Sequence, residues 1–96
     1  MDMLVNVYKS VANRKRVKML ILLIKEREMK LRDIYKNLKI PQATASRNLK
    51  ILEKNHFVSS WYERGEVFYS IIESDDFPYN KAILDSIRRR KKEKGS

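Results

Sequence analysis

The stretch LRDIYKNLKIPQATASRNLKILEKNHFVSSWYERGEVFYSII, residues 31–72, changes its hydrophobic period along its length and carries a proline between its helical parts. Leu31, Ile34, Tyr35 and Leu38 recur at helical spacing and predict a short amphipathic helix. Ile40-Pro41 closes it, because proline disfavours helical geometry in the residue before it and suits the first turn of the helix after it. That next helix is expected from about Pro41 to Asn55, with Ala45, Leu49 and Leu52 facing inward. Asn55-His56 ends it, since both residue types tolerate left-handed backbone better than most non-glycines. Phe57 to Tyr62 and Val67 to Ile72 then turn aromatic and β-branched. They flank Glu63-Arg64-Gly65-Glu66, which predicts a hairpin with glycine at its turn. Helix, turn, helix and hairpin is the outline of a winged helix-turn-helix, a shape that can lay one helix in a DNA major groove.

The flanks extend this outline. Leu4, Val7, Tyr8 and Val11 predict a first amphipathic helix ending near Ala12. Asn13 is a suitable N-cap for a second helix, with Val17, Leu20, Ile21 and Ile24 on one face. Met19, Leu22 and Leu23 widen that apolar face beyond one stripe, so this helix is expected to be the central, most buried one. Asp75, Asp76 and Pro78 open a last helix lined by Tyr79, Ile83, Leu84 and Ile87. The expected fold is mainly helical with a small β-hairpin, in the order α-α-α-α-β-β-α. It forms one domain over residues 1–87, followed by a basic tail over residues 88–96. Arg88 to Lys94 holds six cations and one acid, which is half of the net charge of +10. Such a tail either lies on phosphates or solubilises the chain end.

A chain of 96 residues supports one domain with a modest core, which dimerisation enlarges. Leu4, Val7, Tyr8 and Val11 with Tyr79, Ile83 and Ile87 exceed what a three-helix core with a wing can bury, and they are the expected dimer surface. The excess of 22 basic over 12 acidic residues favours a polyanionic partner over a merely solvated surface. The absence of cysteine excludes disulfides, thiolate metal sites and cysteine nucleophiles. Met19 to Ile24, the longest apolar run, falls far short of the ~20 residues a membrane span needs. Asp2 and the lack of an early cationic stretch argue against a signal peptide, so a cytoplasmic location is expected. Enzymatic chemistry ranks last. The one histidine, His56, lies near no nucleophile, no Gly-rich loop exists, and the carboxylates are scattered.

Around the helix from Pro41 to Asn55, at about 100° per residue, Ala43, Arg47, Lys50 and Lys54 fall opposite Ala45, Leu49 and Leu52. Thr44 and Ser46 lie on the flanks. Small polar residues at the front allow close approach to a groove floor. Arg47 can pair bidentately with guanine, Gln42 can do so with adenine, and Ala43 or Thr44 can meet a thymine methyl. Gln42, Ala43, Thr44, Ser46 and Arg47 are therefore the candidate base readers. The competing interpretation is an ordinary solvated helix face. Among cations at the start of the second helix and along the third, Arg14, Lys15 and Lys36 are the candidate phosphate contacts, with Lys50 on the reading helix. Arg64 at the wing tip is another, although Glu63 and Glu66 weaken its attraction.

Ala12-Asn13-Arg14-Lys15-Arg16-Val17 with Leu20 resembles the opening of the second helix of ArsR-type winged-helix repressors. Ile40 to Leu52 resembles their recognition helix, while Phe57-Val58 and Val67 to Ile71 resemble their wing strands. The resemblance covers about Val11 to Ile72. It implies a homodimeric DNA-binding regulator paired through its first and last helices, with Gln42, Ala43, Ser46 and Arg47 as base readers. The chain also departs from the family. Where metal-sensing members carry cysteines before the turn, it has Leu31-Arg32-Asp33-Ile34-Tyr35, and its last helix offers Asp85 but no histidine. Pro41 stands in place of the usual serine cap, and His56 reads as a capping residue. A non-metal-sensing member without cofactor is expected. The resulting expectation is a sequence-specific, double-stranded-DNA-binding repressor acting as a homodimer. The alternatives are a winged-helix protein-interaction module and a sequence-tolerant architectural DNA binder.

Overall fold

The computed structural model describes residues 3–95, and side chains for 3–90. The chain runs α1 (Met3–Val11), α2 (Arg14–Glu26), β1 (Glu28–Lys30), α3 (Leu31–Leu38), α4 (Gln42–Lys54), β2 (Val58–Glu63), β3 (Glu66–Ile71) and α5 (Pro78–Gly95). Asn13 caps α2 as its side-chain chemistry suggests, its Oδ1 accepting from the Arg16 amide at 3.1 Å. Within α2 it is Met19, Leu20 and Leu23 that lose all exposure. Val17, Ile21 and Ile24 are only half-buried, so the inward face is rotated from the one read off the sequence. The reason is geometric. The widened apolar surface of α2 meets α3, α4, α5 and the sheet, and the neighbours decide which residues sit deepest.

The turn between α3 and α4 depends on Lys39, left-handed at φ 57° and ψ 46°, whose N–H reaches back to Lys36 and Tyr35 carbonyls. Pro41 follows at the N-cap position of α4 in extended geometry. Ala45, Leu49 and Leu52 are fully buried, and each such leucine contributes about 1.5–3 kcal/mol over an exposed one. At the far end, Asn55 is the C-cap and His56 takes φ 65°, turning the chain into Phe57.

The expected order omits one element. Glu28–Lys30 forms a third strand, giving an antiparallel sheet ordered β1-β3-β2. Met29 pairs with Tyr69, and Ser60 pairs with Tyr69 from the other side. A three-residue strand with charges at both ends has no periodicity to read, and β3 supplies the ladder that makes it one. Glu63 pairs with Glu66 across a two-residue loop in which Arg64 (φ 54°) and Gly65 (φ 81°) are both left-handed, the geometry whose twist suits a hairpin.

Helix α5 starts at Pro78, and its first turn is fastened to the end of α4. Asn80 is buried and donates from Nδ2 to the Asn55 carbonyl at 2.7 Å, while Phe77 stacks on His56 with ring centroids 4.5 Å apart. Leu84 completes the core from this side. The backbone stays helical through the basic segment as far as Gly95. Of the expected tail, Ser96 and the side chains of residues 91–95 lie outside the described residues.

Candidate nucleic-acid interface

Because Ala45, Leu49 and Leu52 anchor α4 inward, the helix turns Gln42, Ala43, Arg47, Lys50 and Lys54 to solvent. Thr44 and Ser46 are half-buried on the flanks. The five candidate base readers therefore share one helix. Ala43 and Arg47 stand on its open side and Gln42 at its start. Pro41 provides no side-chain cap, so the first turn of α4 leaves amide donors that no side chain of the N-cap residue satisfies.

The candidate phosphate contacts lie on three helices and the hairpin tip. Arg14 and Lys15 occupy the first turn of α2, Lys36 the last turn of α3, Lys50 the middle of α4 and Arg64 the hairpin tip, and all five are exposed. Among the described residues, no ion pair and no side-chain hydrogen bond engages Arg14, Lys15, Lys36, Arg47, Lys50 or Arg64. Their charges remain available to an external anion.

Four other cations are already matched. Arg32 meets Glu66 at 2.8 Å and Lys30 approaches the same carboxylate at 3.6 Å. Glu63 accepts from the Trp61 indole at 3.3 Å. Of the two acids flanking Arg64, Glu66 is thus countered from β1 and α3. Behind the wing, Arg88 forks onto Glu73 at 2.8 and 2.9 Å and reaches Asp85 at 3.0 Å. The Glu73 hydrogen bond is the main cause of a raised Arg88 pKa. Lys81 pairs with Asp75 at 2.6 Å, and that bond lowers the Asp75 pKa while raising that of Lys81.

Arg16, one of the second-helix cations, turns inward instead. Its Nε donates to the Ser10 carbonyl at 2.6 Å and its guanidinium also donates to Asn48 Oδ1 at 2.8 Å. Neither Arg16 nor Asn48 stands out in the sequence as a tertiary contact. The signal that could have found Arg16 is its position three residues after the Asn13 cap, where a long side chain lies back over the preceding turn.

The expected dimer residues fall into groups. Val7 is only 6% exposed and packs into the core of its own chain. Tyr8 (53% exposed) and Tyr79 (54%) stand out from α1 and from the first turn of α5. Leu4 is half-buried on α1. Val11, Ile83 and Ile87 line one groove of about 740 Å³ between α2 and α5, together with Val17 and Ile21. Among the described residues, no three histidine, cysteine, aspartate or glutamate side chains converge on a point that could hold a metal ion. No helix described is long and apolar enough to cross a membrane.

The family model described as "Bacterial regulatory protein, arsR family" matches residues 13–60, half of the chain. Among solved structures, HlyU from Vibrio cholerae is 25% identical, with a TM-score of 0.75 over 91% of this chain and 89% of its own. The homodimeric winged helix-turn-helix DNA-binding domain Mb0332 from Mycobacterium bovis, a possible ArsR-family transcriptional regulator, is 26% identical. Its TM-score is 0.74 over 96% of this chain and 83% of its own. The transcriptional repressor PagR of Bacillus anthracis is 25% identical, with a TM-score of 0.68 over 84% of this chain and 87% of its own. No curated protein matches the chain in sequence.

Proposed function

Because the chain belongs to the ArsR family of bacterial regulatory proteins, whose winged-helix domains bind DNA, we propose that it binds a specific double-stranded DNA site as a homodimer and represses transcription. The observation that carries this reading is the solvent face of α4, where small residues at the front precede Arg47 and Lys50, neither of which has an intramolecular partner. A major groove needs that combination of close approach and unsatisfied donors. Gln42, Ala43, Thr44, Ser46 and Arg47 read base edges. Arg14, Lys15, Lys36, Lys50 and Arg64 hold phosphates and set the register.

Dimerisation through α1 and α5 is supported by the exposure of Met3, Tyr8 and Tyr79 and by the apolar groove lined by Val11, Ile83 and Ile87. The homodimeric state of the Mycobacterium bovis domain, and the repressor role of the Bacillus anthracis protein, point the same way. The protein works in the cytoplasm without metal or cofactor. Its donor chemistry fits that reading, since it has no cysteine and its one histidine is stacked on Phe77 at the end of α4.

Selection of bound duplexes from a random pool, with light scattering on the free protein, tests the proposal. The expected result is a dimer at micromolar concentration that enriches one two-fold-related site. Enrichment of no sequence by a protein that still binds duplexes would move the architectural reading to first place. No salt-sensitive binding at all would leave a protein-interaction module.

A further inference from the structure

We infer that Arg16 is a positioning residue that locks the recognition helix α4 against α1 and α2, and is not itself a phosphate contact. The inference rests on the DNA-binding reading of α4 but concerns a residue that reading does not use. Arg16 lies in the first turn of α2 among exposed cations, yet it alone of Arg14, Lys15, Arg16 and Lys18 is half-buried. Its Nε donates to the Ser10 carbonyl at 2.6 Å, and a terminal nitrogen donates to the Lys9 carbonyl at 3.4 Å. Both carbonyls belong to the last turn of α1, where a cation is electrostatically welcome; the Lys9 carbonyl also accepts from the Ala12 amide at 3.2 Å. The other terminal nitrogen donates to Asn48 Oδ1 at 2.8 Å, and Asn48 Nδ2 donates to the Thr44 carbonyl at 2.8 Å. The amide of Asn48 is therefore held from both sides.

This bond network joins three helices at one guanidinium. It reaches α4 at Asn48, next to Arg47, and at Thr44, so the clamp sits beside the residues that face the groove. Bidentate pairing with a base edge tolerates little rotation of the helix that carries it. A planar fork with donors on three nitrogens can bridge α1 and α4, whereas a lysine ammonium places its donors on one atom. Since α1 contributes to the proposed dimer surface, the same clamp ties the spacing of the two half-sites to the spacing of the two recognition helices.

The test compares Arg16→Lys, Arg16→Gln and Asn48→Ala with the wild-type dimer in salt titrations on the selected duplex. Each variant should lose about tenfold in affinity, spread over the whole site, with the salt slope of the wild type retained. The Arg16→Gln/Asn48→Ala double variant should lose no more than either single one. Asn48→Ala leaves the bonds from Arg16 to α1 in place, so it reads the clamp even if the Arg16 variants fold poorly. Full affinity in Arg16→Lys with a slope about one unit lower in Arg16→Gln would make Arg16 a phosphate contact and overturn the inference. Additive losses would do the same. Amide exchange on the DNA-free protein supplies an arm independent of DNA. The backbone of α4 should exchange faster in Arg16→Lys while α3 is unchanged, and unchanged α4 protection would overturn the clamp. A wild-type protein that binds no duplex, with α4 still loosened by Arg16→Lys, would sink the DNA-binding reading and leave the clamp standing.

Discussion

Arg47 on α4 and Arg88 on α5 are the same residue in opposite situations. Arg47 is exposed and no intramolecular acceptor engages it, whereas Arg88 forks onto Glu73 and also reaches Asp85. The contrast extends to their surroundings. No acid occurs between Met3 and Lys25, or between Lys36 and Leu52, so the cations of α2 and α4 have few carboxylates within reach along the chain. Glu66, Glu73, Asp75 and Asp85 lie in the wing and around α5, and there Lys30, Arg32, Lys81 and Arg88 are paired. The net charge of +10 is thus a poor guide by itself. The proposed polyanion surface rests instead on where exposed cations are left without partners, as Arg47 and Lys50 are on α4.

The largest effect that could break this comparison is at Arg47. Arg47→Ala should cost about 1–3 kcal/mol on the preferred duplex and relax selectivity at one base position, without lowering thermal stability. Equal losses on preferred and scrambled duplexes would make it a phosphate contact only. Lys50→Ala should weaken all sequences similarly and reduce the salt slope by about one unit, read from binding at several ionic strengths.

Arg88 supplies the reciprocal case. Arg88→Gln should lower stability by less than about 1 kcal/mol, since its partners are partly exposed and screened, and should leave the salt slope of DNA binding unchanged. Denaturant titration and binding measured together decide this. A lower slope would mean that the paired half also serves the DNA.

A smaller effect concerns acid. The Asp75 pKa is lowered chiefly by its hydrogen bond to Lys81. Its contribution to stability is therefore present above the ordinary carboxylate pKa and is lost as pH falls through the lowered folded value. Amide exchange around residues 75–81 should accelerate as pH falls below about 4, after correction for the intrinsic pH dependence of exchange. Zinc should have no effect at all. Stoichiometric metal in tag-free protein, or release from DNA by micromolar zinc, would contradict the metal-free reading.

Much of this architecture is legible in the residues because local rules and tertiary packing agree. Asn13 caps, Pro41 breaks, Gly65 turns, and the Ala45-Leu49-Leu52 stripe is fully buried. Where they disagree, the sequence is silent. Glu28–Lys30 becomes a strand only because β3 offers it a ladder, and the inward face of α2 is chosen by its neighbours. Val7, grouped with α1 surface residues by periodicity alone, is buried in its own chain, whereas Tyr8 beside it is exposed. On the candidate interface, the outward set of α4 follows from a helical wheel. The separation of Arg16 from Arg14 and Lys15 does not, because it depends on a contact with Asn48, 32 positions away.

The measurement that bears most directly on the central claim is a salt titration of the wild-type protein on the selected duplex and on a scrambled one of equal length. Steep salt dependence is expected on both, with the selected duplex bound at least about a thousandfold more tightly at physiological salt. Equal affinity for both, or binding indifferent to salt, would contradict it.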